Sequence, residues 1–388
     1  MADLAAVLRN PDTFDALCDR HGVDAVVDAL RHEGLAPYVA WLRPDTVHLA
    51  DDRRRAALDG SVQHTELRRV CAHLAADGVS AVIFKGGAWA HTDYPEPWCR
   101  PSIDLDLLVS PEDRLRAFDA ITRLGYRRVG RIPGEFVNGQ EVFERPIVTG
   151  TTMALDLHWH VSNRLWMRRL LPTSDLISRS VPAPFAGETA RRVCDDDGML
   201  IACLHPFAHH ARHTLMKWWL DTALLSRRLS PEDVGRFRAR VKSLGVSALV
   251  ARALNDARSL VDAEAIPLLQ REAVRAIAAD GADDRSRAWL DPNRDQLQDA
   301  LDDFRALSGW RDRARLLREH LLPPVSFMRA TYGAVPAVVL PAVYAHRVVS
   351  GGVKWVFYWA RDRWVSRLGA SRGQGPAGPA APPRDADD

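Results

Sequence analysis

Ile103-Asp-Leu-Asp-Leu-Leu-Val109 is the stretch whose reading decides the fold. Asp104 and Asp106 stand two residues apart in an apolar run. On a strand, residues i and i+2 face the same side, so the two carboxylates point together while Leu105, Leu107 and Val109 take the other face. Adjacent like charges repel and are costly in a half-buried sheet. A divalent cation removes that conflict, and two hard oxygen ligands with open positions suit Mg²⁺ or Mn²⁺ carrying substrate phosphates. The exposed polar face of an edge strand would show the same letters, and Asp-x-Asp alone is a common pattern.

Reading outward, Ser80-Ala-Val-Ile-Phe84 is a short β-rich run that ends in Lys85-Gly86-Gly87 and opens a helix. Glycines at such a turn let backbone amides approach a phosphate. A lysine there pairs with phosphate as a point charge. After the second strand, residues 110–113 (Ser-Pro-Glu-Asp) signal a helix start, with Ser as N-cap and Pro at the first helical position. That helix runs to about Leu124 and Gly125 closes it. Residues 126–132, 141–148 and 152–159 read as three more strands. In the last, Asp156 lies between Leu155 and Leu157. If this strand pairs beside the first, Asp156 adds a third carboxylate. Three acids, two metal ions and a triphosphate are the apparatus of in-line nucleotidyl transfer. The P-loop pattern is absent, which disfavours a P-loop kinase or ATPase.

The block over 79–190 is thus an α+β core with hairpin-linked strands, a mixed sheet flanked by helices. Residues 1–78 carry helical periodicity and no chemistry. Residues 191–369 are helical again, with segments expected over 195–229, 231–259, 264–281 and about 293–320. From 370 to 388 the chain lacks core-forming residues and is expected to be disordered. The 388 residues carry 52 basic and 50 acidic side chains, a formal charge of +2. That balance argues against an extended nucleic-acid partner, whose phosphates need a basic excess. Only four of the basic residues are lysines (Lys85, Lys217, Lys242 and Lys354), so Lys85 at the glycine turn stands out. The five cysteines lack paired spacing, and no signal peptide or run of 18 apolar residues is present. A cytoplasmic protein with no transmembrane segment is expected.

Strand-Lys-Gly-Gly, Tyr94-Pro95, Arg100, the Asp104 strand and Leu155-Asp-Leu-His-Trp159 together resemble an uncharacterised nucleotidyltransferase family of the DNA polymerase beta-like superfold. The superfold includes aminoglycoside nucleotidyltransferases. The resemblance covers about residues 65–260 and extends more weakly to 322–332. It implies a mixed sheet flanked by helices, two Mg²⁺ (or Mn²⁺) ions, an NTP donor such as ATP, and transfer to an acceptor hydroxyl or phosphate. Carried over by motif, Asp104 and Asp106 become metal ligands, Asp156 the third carboxylate, and Lys85, Gly86 and Gly87 contacts to the triphosphate. The superfold's usual Gly-Ser is Gly86-Gly87 here, so no serine hydroxyl reaches the phosphate.

Further groups follow from the same frame. Arg100 stands where the family pattern has an arginine, and a guanidinium can bind phosphate bidentately. His205, His209 and His213 lie at i, i+4 and i+8 on an expected helix face, with His210 off it. Zinc is one reading, though no acid or Cys completes a set. In another, this helix lines the cleft and His209, His213, Lys217 and Asp221 contact nucleotide or acceptor. Simple helix packing is a third. His158 shares a face with Asp156 and is placed to hydrogen-bond it or the acceptor. The segment 353–368, with Trp355, Trp359 and Trp364 among basic residues, is amphipathic and open to peripheral membrane contact. Three functions compete: an enzyme acting on a small-molecule or biosynthetic-intermediate acceptor, a modifier that transfers AMP to a partner protein, and a non-enzymatic scaffold.

Overall fold

The computed structural model describes residues 2–350, apart from 130–133, 149–150, 211–213, 292–293, 295 and 334. It is a mixed α+β architecture built on seven strands: β1 (Val82–Ile83), β2 (Asp104–Leu108), β3 (Arg127–Val129), β4 (Gln140–Val148), β5 (Thr151–His158), β6 (Val181–Pro182) and β7 (Arg191–Arg192). Their order across the sheet is β3-β4-β5-β2-β1-β7-β6. β4 and β5 form the expected antiparallel hairpin, but β2 and β5 pair in parallel, as do β1 and β7. Strands β6 and β7 escape the sequence reading because two residues are too short to show a period.

Alternation along β2 and β5 separates two faces. Leu105, Leu107, Leu155 and Leu157 are buried on one, together with Phe143 of β4. Helix Arg114–Arg123 covers that face, with Phe118 edge-on to both Phe143 and Trp159. Each fully buried leucine there contributes on the order of 1.5–3 kcal/mol. The start of this helix departs slightly from expectation. Ser110 Oγ accepts from the Asp113 amide at 3.1 Å, and the helix begins at Arg114, three residues after the expected Pro111. Gly125 adopts φ +86° just beyond its end, as its position requires.

The expected helix over 231–259 is two, Pro231–Leu244 and Ser247–Arg258, broken at Gly245 with its left-handed φ of +66°. Of 264–281, only Arg271–Asp280 is α-helical, since Pro267 leaves 3₁₀ turns before it. The segment 195–229 also divides, into Asp195–His209 and Met216–Leu225. Both pieces bury side chains nearly all round, from Met199 to Leu204 and from Trp219 to Leu225. A single rod would have left much of that surface in water, whereas two helices packed together bury it. One continuous hydrophobic core runs from Leu4 to Ile277, so the flanking helices share it with the sheet.

Among the described residues no helix is long and apolar enough to cross a membrane. The amphipathic segment 353–368, its peripheral membrane contact and the tail from 370 lie outside the described residues.

Candidate active site

The register between β2 and β5 sets Asp106 directly beside Asp156. Both carboxylates stand on the face opposite the leucines. His158, one pleat further along β5, joins them: single donor atoms of Asp106, Asp156 and His158 all lie within 4.8 Å of one another. His158 Nε2 is 2.9 Å from Asp106 Oδ1. The sequence places His158 to bond Asp156 or the acceptor, and the Nε2 contact in the structure is to Asp106. In the parallel pairing His158 lies opposite Leu108, and its ring reaches diagonally to Asp106. Phe84, edge-on at 4.8 Å, closes the other side of the ring. Asp156 is instead held by Gln140, whose Nε2 donates to Oδ2 at 2.5 Å. Gln140 is the partner of His158 on β4. Nothing in the sequence marks it, because only the hairpin register brings it across.

Lys85 supplies the cation. It is the one non-glycine residue with positive φ among those described, at +53°. Such backbone costs on the order of 1–3 kcal/mol and persists only where surrounding contacts fix it. Here it turns the ammonium onto the acids. Nζ lies 3.0 Å from Asp106 Oδ1 and 3.5 Å from His158 Nε2, and 4.7 Å from the centre of the Phe84 ring.

Burial alone would raise the Asp106 pKa, but the Lys85 ammonium and His158 hold its carboxyl well below the usual range. Asp104 is raised, first by burial and then by the neighbouring Asp106 charge. Its Oδ1 is 3.3 Å from Ser102 Oγ, and it stands outside the compact Asp106–Asp156–His158 set. Burial and the Lys85 charge push His158 down to about 4, so its imidazole is neutral at pH 7. The same two causes hold His205 and His209 well below the ordinary histidine value. Two carboxylates and a neutral imidazole around a position already facing a cation fit a divalent metal ion.

Other expected site residues are placed differently. Arg100 and Asp221 are spent on each other. Arg100 Nε lies 3.1 Å from Asp221 Oδ1 and Nη2 lies 2.9 Å from Oδ2, with Tyr94 Oη donating to Oδ1 at 2.8 Å. Both side chains are buried, at 8% and 1% exposed. This pair straps helix Met216–Leu225 to the loop before β2. It also explains one of the two glycines, since a Cβ on Gly86 would overlap the Arg100 guanidinium. Gly87 meets only Ile83, at ordinary contact distance.

The expected ladder of His209, His213, Lys217 and Asp221 on one helix is not formed. The first helix ends at His209 and the next starts at Met216, and His213 lies outside the described residues. His210 stacks on Trp218 of the second helix with ring centres 4.2 Å apart. His209 Nε2 is 2.9 Å from Ser162 Oγ. Lys217 has a pKa lowered by burial and then by the Arg100 charge, with Asp221 and Asp104 acting in the opposite sense.

A cavity of about 240 Å³ lies alongside, lined by Asn163, Arg164, His209, Asp303 and His320 among others. Asn163 Nδ2 lies 3.5 Å from Gln140 Oε1, which links that wall to Asp156. The larger cavity, about 650 Å³, is lined by Arg114, Phe118 and Trp159 and so lies on the reverse face of the sheet. Its greater volume does not make it the reaction site, because the carboxylates and Lys85 face the other way.

No curated protein among those compared matches the chain. The family model described as an uncharacterised nucleotidyltransferase matches residues 8–262, which takes in the N-terminal helices, the whole sheet and the paired helices beyond it. A match over more than half of the sequence, with the carboxylate strands inside it, places this chain in that nucleotidyltransferase family.

Proposed function

We propose that the protein moves a nucleoside monophosphate from an NTP to a hydroxyl or phosphate of a small-molecule or biosynthetic-intermediate acceptor. The observation that carries this reading is the side-by-side placement of Asp106 and Asp156 on adjacent parallel strands, under the Lys85 ammonium. Asp104, two residues before Asp106 on the same face, completes the acidic set. These carboxylates would hold two divalent ions, Mg²⁺ or Mn²⁺. Bound there, such ions neutralise charge on the transferring phosphoryl group and its leaving oxygen.

The chain's own residues do the rest. Lys85 exchanges its contact with Asp106 for the triphosphate, supported by the Gly86-Gly87 turn. Asp156, oriented by Gln140, takes the proton of the acceptor hydroxyl when a hydroxyl attacks. His209 and Lys217 face the donor or acceptor from the helical wall. Arg100 and Asp221 act at one remove, fixing the turn and the helix that carry these groups.

The test is calorimetric titration of NTP in the presence of Mg²⁺, together with transfer from α-labelled NTP in cell extract. Wild type binds NTP only with the metal and passes label to a small molecule. Asp104→Ala with Asp106→Ala abolishes metal-dependent binding. Label appearing on a protein would favour AMP transfer to a partner. Absence of both binding and transfer would leave a non-enzymatic scaffold. Binding that persists unchanged in the double variant would place the site elsewhere.

A further inference from the structure

We infer that His158 is itself a metal ligand, and that this nitrogen donor makes the centre prefer Mn²⁺ over Mg²⁺. The inference rests on the proposed reading that Asp106 and Asp156 bind metal. Three observations carry it.

The first is the spacing. Donor atoms of Asp106, Asp156 and His158 lie within 4.8 Å of one another, whereas Asp104 is not part of that set. The separation of 2.9 Å between Asp106 Oδ1 and His158 Nε2 is close to the edge of an octahedron, since ligands at about 2.1 Å and at right angles stand roughly 3 Å apart. The pair can therefore share one ion with little movement of either side chain.

The second is a positive charge already on that edge. The Lys85 ammonium contacts Asp106 Oδ1 at 3.0 Å and His158 Nε2 at 3.5 Å, so the two atoms that would meet the metal are the two that Lys85 faces. The third is rigidity. His158 is 1% exposed, its ring is held edge-on by Phe84, and its backbone is locked in β5 between β2 and β4. A ligand fixed in this way loses little freedom on coordination.

The selectivity follows from donor chemistry. Mg²⁺ takes oxygen ligands and gives up water reluctantly. Mn²⁺ accepts carboxylates equally well, and as a first-row transition ion it also accepts imidazole nitrogen. A centre of two carboxylates alone would discriminate weakly between the two ions. Adding His158 tilts it toward Mn²⁺.

The experiment is pulsed electron paramagnetic resonance on the full-length protein loaded with Mn²⁺, using natural-abundance protein and protein labelled with ¹⁵N-histidine. The expected result is a nitrogen modulation from a directly bound imidazole that shifts with the label and is lost in His158→Asn. Competition of Mg²⁺ against bound Mn²⁺ gives the second readout: the preference for Mn²⁺ falls by about tenfold or more in the variant. Mn²⁺ bound at Asp106, as judged by its loss in Asp106→Asn, but without nitrogen modulation in wild type would overturn the inference and leave the proposed function standing. So would a modulation that survives in His158→Asn. Failure of wild type to bind Mn²⁺ with or without NTP would overturn both. The isotope shift is measured on wild type, so an unfolded variant does not blunt the test.

Discussion

Two buried acid–base pairs lie within a few residues of each other, and they are built in opposite ways. Arg100 and Asp221 meet through two hydrogen bonds, with Tyr94 as a third partner on the same carboxylate. The fork matches the carboxylate, every strong contact is satisfied, and the pair is sealed from water. Lys85 and Asp106 meet through one contact. The lysine backbone is strained, both side chains keep some exposure at 13% and 11%, and His158 competes for the same oxygen. The first pair is a strap between a loop and a helix. The second is a charge held in readiness, which a metal and a phosphate can take apart. Residue type alone does not separate these cases, since all four side chains are equally suited to ligand binding.

The contrast can be broken by measurement. Asp221→Ala leaves the Arg100 charge buried without its partner and should cost about 3–5 kcal/mol, read as a lowered denaturant midpoint. Lys85→Met should cost less, about 1–2 kcal/mol, because His158 still serves Asp106 and that carboxyl can take up a proton. A larger loss from Lys85→Met than from Asp221→Ala would reverse the roles assigned to the two pairs. Gly86→Ala falls between them. Its added methyl collides with the Arg100 guanidinium, and a cost of about 1–3 kcal/mol is expected from overpacking. If Gly86→Ala were neutral in stability but impaired NTP binding, the glycine would serve phosphate approach and not Arg100.

A separate effect lies on the acid side of the stability curve and is small near neutral pH. Burial is the first cause that lowers His91, His158 and His160, each to about 4. The unfolded chain takes up protons near 6.5, whereas the folded chain refuses them until about 4, so the unfolded state binds more protons in that window. Stability is therefore full above about 6.5 and declines as pH falls toward 4. Chemical denaturation at pH 7 and pH 5 should show the loss, and His158→Asn should make it shallower. An unchanged slope would mean that His158 takes up its proton in the folded protein as readily as a free histidine.

Much of the fold was legible because it rests on local periods. The alternation of Asp104 to Leu108 and of Met153 to His158 announces strands with one acidic face. The same reading places Lys85 at a turn and Asp156 mid-strand. Helix breaks were harder. Gly245 is an ordinary C-cap signal once its left-handed φ is known, but the helix end at His209 depends on where two apolar helices find burial. That is a property of the core and not of any short window.

The amino-acid sequence by itself determined where the acids stand: Asp104, Asp106 and Asp156 each lie within an apolar strand, and once such a strand is half buried its carboxylates need a partner. The tertiary structure alone decided who the partners are. The parallel register of β2 and β5 joined Asp106 to Asp156, the diagonal reach of His158 brought in a nitrogen, and Gln140 arrived from β4. Packing also closed Arg100 and Asp221 on each other. Pairings of this kind join residues tens of positions apart, and they are settled by which surfaces bury together, which no local pattern encodes.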